Sequence, residues 1–388
     1  MPIFDLARAA EDRFHRDLIP VLRQRGWRPR VVPYDGYGTI SANGLTSSAR
    51  VIARMVMRPQ NAPAEGPLFR SLPEDFPTSA LEMRDIAFTS LLEAQRGWRS
   101  FVDCPVPFLP VTVKVGNQSL RTRADRSGYV DVVVRDHGLE PGWHNVTIEA
   151  AGVCEPVTCQ VEIVCPEPTI GVICDIDDTA MITHMPRAMV AAWNAFVKNS
   201  GARQPVPGMA QLLSRVRRTH PQAPVVYLST GAWNVVPTLR FFLKKHGFPR
   251  GPMLMTDWGP NNTGWFRSGI EHKRTQLRRL MIDLPHVTWL LLGDDGQYDP
   301  LIYGEAAREH DDHVAAVAIR RLSPGEHVLA GGRAVHPMGL DPDSRTLAEC
   351  DVPVVYGTDG FALARALPSS IVGPDSSGPT RLTRRTIR

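Results

Sequence analysis

Two textures divide the chain. Between residues 31 and 165, short alternating runs of apolar and polar residues are separated by turn residues. From Thr169 onward, continuous apolar runs alternate with helical segments. The first texture predicts strands at Val31–Pro59, Val111–Val115, Tyr129–Val134, His144–Ala150 and Thr158–Val164. Within the first of these, Tyr34-Asp35-Gly36-Tyr37-Gly38 reads as a turn and Ala49–Met57 as a buried strand. Residues 59–79 are rich in Pro and Gly and read as a loop, and 80–96 as a helix ending at Gly97. The expectation for 31–165 is a small antiparallel β-sandwich with one helix.

The second texture predicts strands at Ile170–Cys174, Val225–Leu228, Met253–Met255, Trp289–Leu292 and Val314–Ile319. Helices are expected at Arg187–Lys198, Met209–Thr219, Val235–His246 and Lys273–Ile282, with one more strand and helix at Val352–Tyr356 and Gly360–Leu367. Such alternation is the pattern of a doubly wound, Rossmann-like parallel α/β sheet, expected over 166–367. Residues 3–25 read as an amphipathic helix with Phe4, Leu6, Phe14, Leu18, Val21 and Leu22 near one face, interrupted by Pro20 and ended by Gly26. Packing on its own domain is the better reading of that helix; an arginine-rich face against anionic membrane is the other. Residues 368–388 read as a disordered basic tail.

Composition excludes several classes. The chain has 388 residues, 43% hydrophobic and 22% charged, which is ordinary globular usage. Its net charge is +4, and the tail supplies most of it, with Arg381, Arg384, Arg385 and Arg388 against Asp375. A nearly neutral body argues against a dedicated nucleic-acid binder. No apolar run is long enough for a transmembrane segment. The start, MPIFDLARAAEDRFHRDL, has no apolar core of a secretory leader, so a cytoplasmic location is expected. The six cysteines contain no C-x-x-C pair, and reduced, buried thiols are expected.

The candidate chemistry lies at strand ends. Gly171-Val172-Ile173-Cys174-Asp175-Ile176-Asp177-Asp178-Thr179 delivers three aspartates and a hydroxyl just beyond an apolar strand, where open parallel sheets bind ligands. Alternation points Asp175 and Asp177 the same way, and carboxylates that close need a cation; oxygen-only ligands favour Mg²⁺. Gly293-Asp294-Asp295-Gly296-Gln297-Tyr298-Asp299 repeats the form after another strand. Ser229-Thr230-Gly231 follows Val225–Leu228 and precedes a helix, a place suited to an anion. Lys273 opens a helical segment and could neutralise a phosphoryl oxygen and a nucleophilic carboxylate.

In this order the four elements resemble the haloacid dehalogenase superfamily. Residues 170–322 resemble more closely the actin-patch-associated, lipin-related phosphatidate phosphatases. The residues carrying this are DIDDT at 175–179, PVPG at 205–208, VVYLSTGAWN at 225–234, GFPRGP at 247–252, HK at 272–273, LLGDDGQYDPLIYGE at 291–305 and AIRR at 318–321. The resemblance implies a Mg²⁺-dependent phosphoric monoester hydrolase acting on phosphatidate or a similar lipid phosphate. It implies Asp175 as nucleophile, Asp177 as general acid and base, Ser229 as donor to the phosphoryl group and Lys273 as charge partner, with Thr179 fixing the loop. Asp175, Asp177 through its backbone carbonyl, and Asp294 would hold the metal, with Asp295 and Asp299 as ligands or close supports. Ser229 and Thr230 compete for the hydroxyl role, Ser229 being preferred as the residue directly after the strand, with Gly231 beside it.

Fifty positions separate Thr179 from Ser229 and 44 separate Ser229 from Lys273, which leaves no room for a large cap. An open site suits a bulky ester. Trp265 and Phe266, in the Gly-rich loop that starts at Asp257, are candidates to touch acyl chains, with peripheral membrane contact as the partner. The competing readings are a phosphatase for soluble or protein phosphates, and a non-catalytic phospholipid- or phosphoprotein-binding module. Asp175→Asn, harmless in the last case, separates it from the other two.

Overall fold

A computed structural model describes residues 19–60, 104–182, 204–256, 269–296, 298–329, 347 and 350–374. The expected helices at 80–96 and 187–198, most of the helix at 3–25, Trp265, Phe266, Gln297 and residues 375–388 lie outside these. Of the first helix, residues 19–24 are described and are helical, and Gly26 follows in a left-handed conformation (φ 80°).

The first unit is one eight-stranded sheet. Its strands are β1 (Trp27–Ile40), β2 (Ser47–Pro59), β3 (Cys104–Pro105), β4 (Pro110–Val115), β5 (Gln118–Arg123), β6 (Tyr129–Arg135), β7 (Gly142–Ala150) and β8 (Val157–Val164). The order is β3-β2-β1-β8-β7-β4-β5, and β6 also pairs with β2. The edge strands β5 and β6 come back into contact, so the sheet curls around its own core. This corrects the expected antiparallel sandwich in two respects. One curled sheet replaces two stacked ones, and β1 runs parallel to β8.

The expected turn at Tyr34–Gly38 is instead the bulged middle of β1, its register with β2 shifting between Tyr34 and Tyr37. The glycine at 36 serves close strand approach. A Cβ there would lie 2.1 Å from the Arg50 carbonyl oxygen. β5 (QSLRTR) was not anticipated: as an edge strand with no buried residue, it lacks apolar alternation.

The second unit is an all-parallel six-stranded sheet. It contains β9 (Thr169–Asp175), β12 (Val225–Ala232), β13 (Met253–Thr256), β14 (Val287–Asp294), β15 (Val314–Arg320) and β16 (Val354–Gly357), in the order β13-β12-β9-β14-β15-β16. Between β9 and β12, β10 (Met181–Ile182) and β11 (Gln204–Pro205) form a two-stranded ribbon. The helices are α1 (Met209–Thr219), α2 (Val236–Lys245), α3 (Gly269–Asp283), α4 (Asp299–Glu309), α5 (Pro324–Leu329), α6 (Gly360–Ala366) and α7 (Ser369–Val372).

From Gly171 to Leu292 the central strands β9, β12 and β14 are buried along continuous apolar runs, as covered parallel strands require. Each fully buried Val, Leu or Ile there contributes about 1.5–3 kcal/mol. α4 was not among the expected helices. Pro300 sits in the first turn, where no backbone N–H is needed, and Gly304 accepts the Cys350 thiol at its carbonyl. The start of the expected tail is also ordered. Ile371 and Val372 are buried, and Arg215 donates to the carbonyls of Val372 (2.7 Å) and Gly373 (2.9 Å). All six cysteines are free, as expected, but only Cys159 and Cys174 are buried; Cys104, Cys165 and Cys350 are half-buried and Cys154 is exposed.

Candidate active site

Register brings the acidic motifs together. β9 lies between β12 and β14, with Asp175 opposite Leu228 and Cys174 opposite Leu292. Ser229 and Asp294 therefore emerge at nearly the same level as the DIDDT segment, at the carboxyl ends of three adjacent strands. α3 brings Lys273 over this edge, and α4 begins at Asp299.

Asp175, Asp294, Asp299 and Lys273 are all buried. The Lys273 ammonium donates to Asp175 Oδ1 at 2.6 Å and to Asp299 Oδ1 at 2.5 Å. Each of the three aspartates offers an oxygen within 4.8 Å of the other two. Asp294 Oδ1 accepts from the Gly296 N–H at 2.7 Å, and the fully buried Thr179 donates to Asp294 Oδ2 at 3.5 Å. Asp299 Oδ2 accepts from the Asp294 N–H at 3.4 Å.

Burial, opposed by Lys273 and reinforced by Asp299, Asp294 and Asp177, pushes the Asp175 carboxyl well above the usual carboxylate range. Burial works against the Lys273 charge, but Asp175 and Asp299 outweigh it and hold the ammonium above the usual lysine range. Ionised together, three carboxylates against one ammonium would leave two negative charges where water hardly reaches. Such a cluster is costly unless compensated. A divalent cation among Asp175, Asp294 and Asp299 would supply that compensation, so the donor set fits a metal site.

On the other side of Asp175, Asp177 is half-buried, and Ser229 Oγ donates to its Oδ2 at 3.1 Å. Ser229 Oγ also accepts from the Gly231 N–H at 2.9 Å. Ser229 is buried, whereas Thr230 is half-exposed and packs its methyl group toward Gly269 at the start of α3. Asp178 holds a left-handed backbone (φ 58°), and its carbonyl accepts from Arg320 Nη1 at 2.7 Å.

Asp295 lies outside the three-carboxylate group. Its Oδ1 accepts from the Leu322 N–H at 2.8 Å and lies 3.3 Å from His327 Nε2. Asp299, at the first position of α4, stands in the group instead. Arg320 and Gly293 stand within motifs the sequence offered, but neither was given a role there. Arg320 is buried at the end of β15 and ties the DIDDT loop to Glu326 (2.7 Å). An arginine ending an apolar strand beside an acidic one was the available signal.

The domain that carries these buried carboxylates and their lysine is of the phosphoric monoester hydrolase class, as its match to a known family shows. Residues 170–321 match the family described as "Phosphatidate phosphatase APP1, catalytic domain". That match marks a phosphatidate phosphatase-type catalytic domain within the chain. No curated protein matches the chain. Among solved structures, the haloacid dehalogenase domain of the effector protein Lem4 from Legionella pneumophila is similar at 17% identity and a TM-score of 0.28, over 41% of this chain and 88% of that one. A β-glucuronidase from Parabacteroides merdae is similar at 10% identity and a TM-score of 0.25, over 76% of this chain and 33% of that one. Neither likeness is strong enough to carry an argument.

Proposed function

We propose that the chain is a Mg²⁺-dependent phosphatase that hydrolyses phosphatidate or a similar lipid phosphate through an aspartyl-phosphate on Asp175. The observation that carries this reading is the Lys273 ammonium held between Asp175 and Asp299, beside Asp294. Asp175, Asp294 and the Asp177 backbone carbonyl would hold the ion, with Asp299 as a further carboxylate. The bound ion would screen the repulsion between an anionic nucleophile and an anionic ester.

An Asp175 carboxylate oxygen attacks phosphorus, and the bond from phosphorus to the alcohol oxygen breaks. Asp177 gives its proton to the departing alcohol. Asp177 then takes a proton from water as that water attacks the aspartyl-phosphate, releasing phosphate and restoring Asp175. Ser229 and the N–H groups of the loop at 230–231 hold phosphoryl oxygens, and Lys273 offsets charge on Asp175 and the phosphoryl group. Thr179 and Arg320 keep the DIDDT loop in place.

The architecture supports the reading. The strand order, numbered within this sheet, is 3-2-1-4-5-6, and the helices contact one another in two sets, α1 with α6 and α7, and α3 with α4. Both features support a doubly wound arrangement of haloacid dehalogenase type, spanning about 166–367 behind a separate β-unit at 31–165. Among the described residues no helix is long and apolar enough to cross a membrane, so contact with lipid would be peripheral. Trp265 and Phe266 are the proposed contact, and replacing both with Ala should impair hydrolysis of vesicles while sparing p-nitrophenyl phosphate.

The test is phosphate release from vesicles containing phosphatidate and from a panel of soluble esters, with and without Mg²⁺, for the wild type and Asp175→Asn. Mg²⁺-dependent release that is fastest on phosphatidate and lost in Asp175→Asn supports the reading. Preference for soluble esters redirects the substrate, and activity that survives Asp175→Asn ends the mechanism.

A further inference from the structure

The curled sheet meets the parallel sheet through polar side chains as well as through its apolar surface. Arg50, in the middle of β2, is buried (4% exposed). Its guanidinium makes four hydrogen bonds. Nε and Nη2 each donate to the Asp131 carboxylate at 2.8 Å, and Nη1 donates to Tyr37 Oη at 3.1 Å and to Gln276 Oε1 at 3.0 Å. Tyr37 in turn donates to Asp283 Oδ2 at 2.8 Å. Arg279 completes a ring, with Nη1 3.2 Å from Asp131 Oδ2 and Nε 3.5 Å from Asp283 Oδ2. Arg50, Asp131 and Tyr37 belong to the curled sheet, whereas Gln276, Arg279 and Asp283 belong to α3, the helix of Lys273.

A buried charge is a costly way to join two surfaces that apolar side chains could join. Its return is geometric, because a bidentate guanidinium fixes position and rotation together. Gln276, Arg279 and Asp283 recur at spacings of three and four, so they share one stripe of α3. Gln276 lies one turn after Lys273, about 4.5 Å along the helix. At the other end, Gly269 abuts the Ser229–Gly231 loop so closely that a Cβ there would lie 2.8 Å from Thr230 Cγ2.

The same sheet also reaches the second motif. Trp233 directly follows the STGA segment and is buried. The Tyr34 ring lies 4.5 Å from it and the Tyr129 ring 6.1 Å, both from the curled sheet. One body of β-structure therefore supports two catalytic elements from behind.

We propose that Arg50 is a positioning residue for the active site: with Tyr37 it holds α3 so that Lys273 meets Asp175, while Tyr34 and Tyr129 brace Trp233 behind the Ser229 loop. The curled sheet is then a working part of the phosphatase and not merely a separate module attached to it. This rests on the phosphatase reading of Lys273 and Ser229. A displacement near 1 Å at such groups costs on the order of 10²-fold in rate.

The experiment uses the full chain and p-nitrophenyl phosphate with Mg²⁺, so that lipid docking does not enter. Wild type and Asp175→Asn come first. If the wild type is inactive, or Asp175→Asn is not, the function is misassigned and the positioning variants are not the cause. Arg50→Met, Gln276→Met and Tyr37→Phe are then assayed well below their melting temperatures. Val113→Ala, in the curled sheet's own core, serves as a control that loses stability alone.

Arg50→Met is expected to lower kcat by about 10-fold or more, with KM within about 2-fold of wild type. Arg50→Met combined with Gln276→Met should lose little more than Arg50→Met alone, because both break one contact. Val113→Ala should melt earlier with normal kcat. Should Arg50→Met fail to fold, Tyr37→Phe and Gln276→Met, each losing a single group, decide by the same kcat criterion. Folded variants with wild-type kcat, or losses that simply add, overturn the proposal.

Discussion

Gly293 lies so close to Asp299 that a Cβ on residue 293 would sit 2.5 Å from Asp299 Oδ2. The same Cβ would lie 2.7 Å from the Tyr303 ring, which is fully buried and has no room to retreat. Glycine at the end of β14 thus allows the first residue of α4 to reach Lys273. Gly293→Ala is expected to push Asp299 off the ammonium and lower kcat by about 10²-fold. Overpacking should also cost about 1–3 kcal/mol of stability. Phosphate release and a thermal melt check both, and a folded variant of full activity would show that Asp299 is not needed where it stands.

Lys273 is the only cation among the described residues that bonds to Asp175 or Asp299. Lys273→Met leaves three buried carboxylates facing one another. The expected loss is about 3 kcal/mol in EDTA, since removing one partner of a buried ion pair strands the other. Mg²⁺ should recover part of that stability without restoring turnover. The check is a pair of melts, with EDTA and with Mg²⁺, beside an assay. A variant whose melting point ignores Mg²⁺ would argue against a cation among these aspartates.

Ser229 both donates to Asp177 and accepts from the Gly231 N–H. Ser229→Ala should therefore lower kcat by about 10²-fold, the usual cost of one lost donor to a developing charge. Thr230→Ala, at a half-exposed position whose methyl group faces Gly269, should lose far less. Comparing kcat for the two variants settles which hydroxyl serves the phosphoryl group. The reverse order would move the role to Thr230.

The acidic strand ends were legible because their signal is local: an apolar run, then aspartates, with the next strand needing only parallel pairing. Which aspartates converge was less so. GDDGQYD offers three, and the choice depends on where α4 begins and on the N–H of Leu322, 27 positions after Asp295. The curled sheet was misread for the same reason. Its topology rests on β1 pairing with β8 more than 100 residues later, and the glycines of β1 look like turn residues until the Arg50 carbonyl is seen against Gly36. Arg50 itself gave no signal, because nothing local sets it apart from Arg54 and Arg58 on the same strand.

Glu162 makes a prediction that turns on pH and not on catalysis. It lies on β8 opposite both Tyr37 and Trp143 and is half-buried. Burial raises its carboxyl to about 7; Arg217 and Arg250 oppose the rise, and Asp35 adds to it. The unfolded chain would titrate this group near the ordinary value for glutamate, so between the two values the folded state holds the proton more tightly. The contribution of this group to stability is then greatest below about pH 4.5, falls as pH rises through about 7, and is lowest above it. Because the side chain keeps some contact with water, the penalty is on the order of 1–2 kcal/mol. Glu162→Gln removes the charge while keeping the shape. It should melt several degrees higher than wild type at pH 8, match it near pH 4.5, and leave p-nitrophenyl phosphate turnover unchanged. An offset between the two melting curves that is the same at both pH values would mean that Glu162 is adequately paired with Arg217 and Arg250 when ionised.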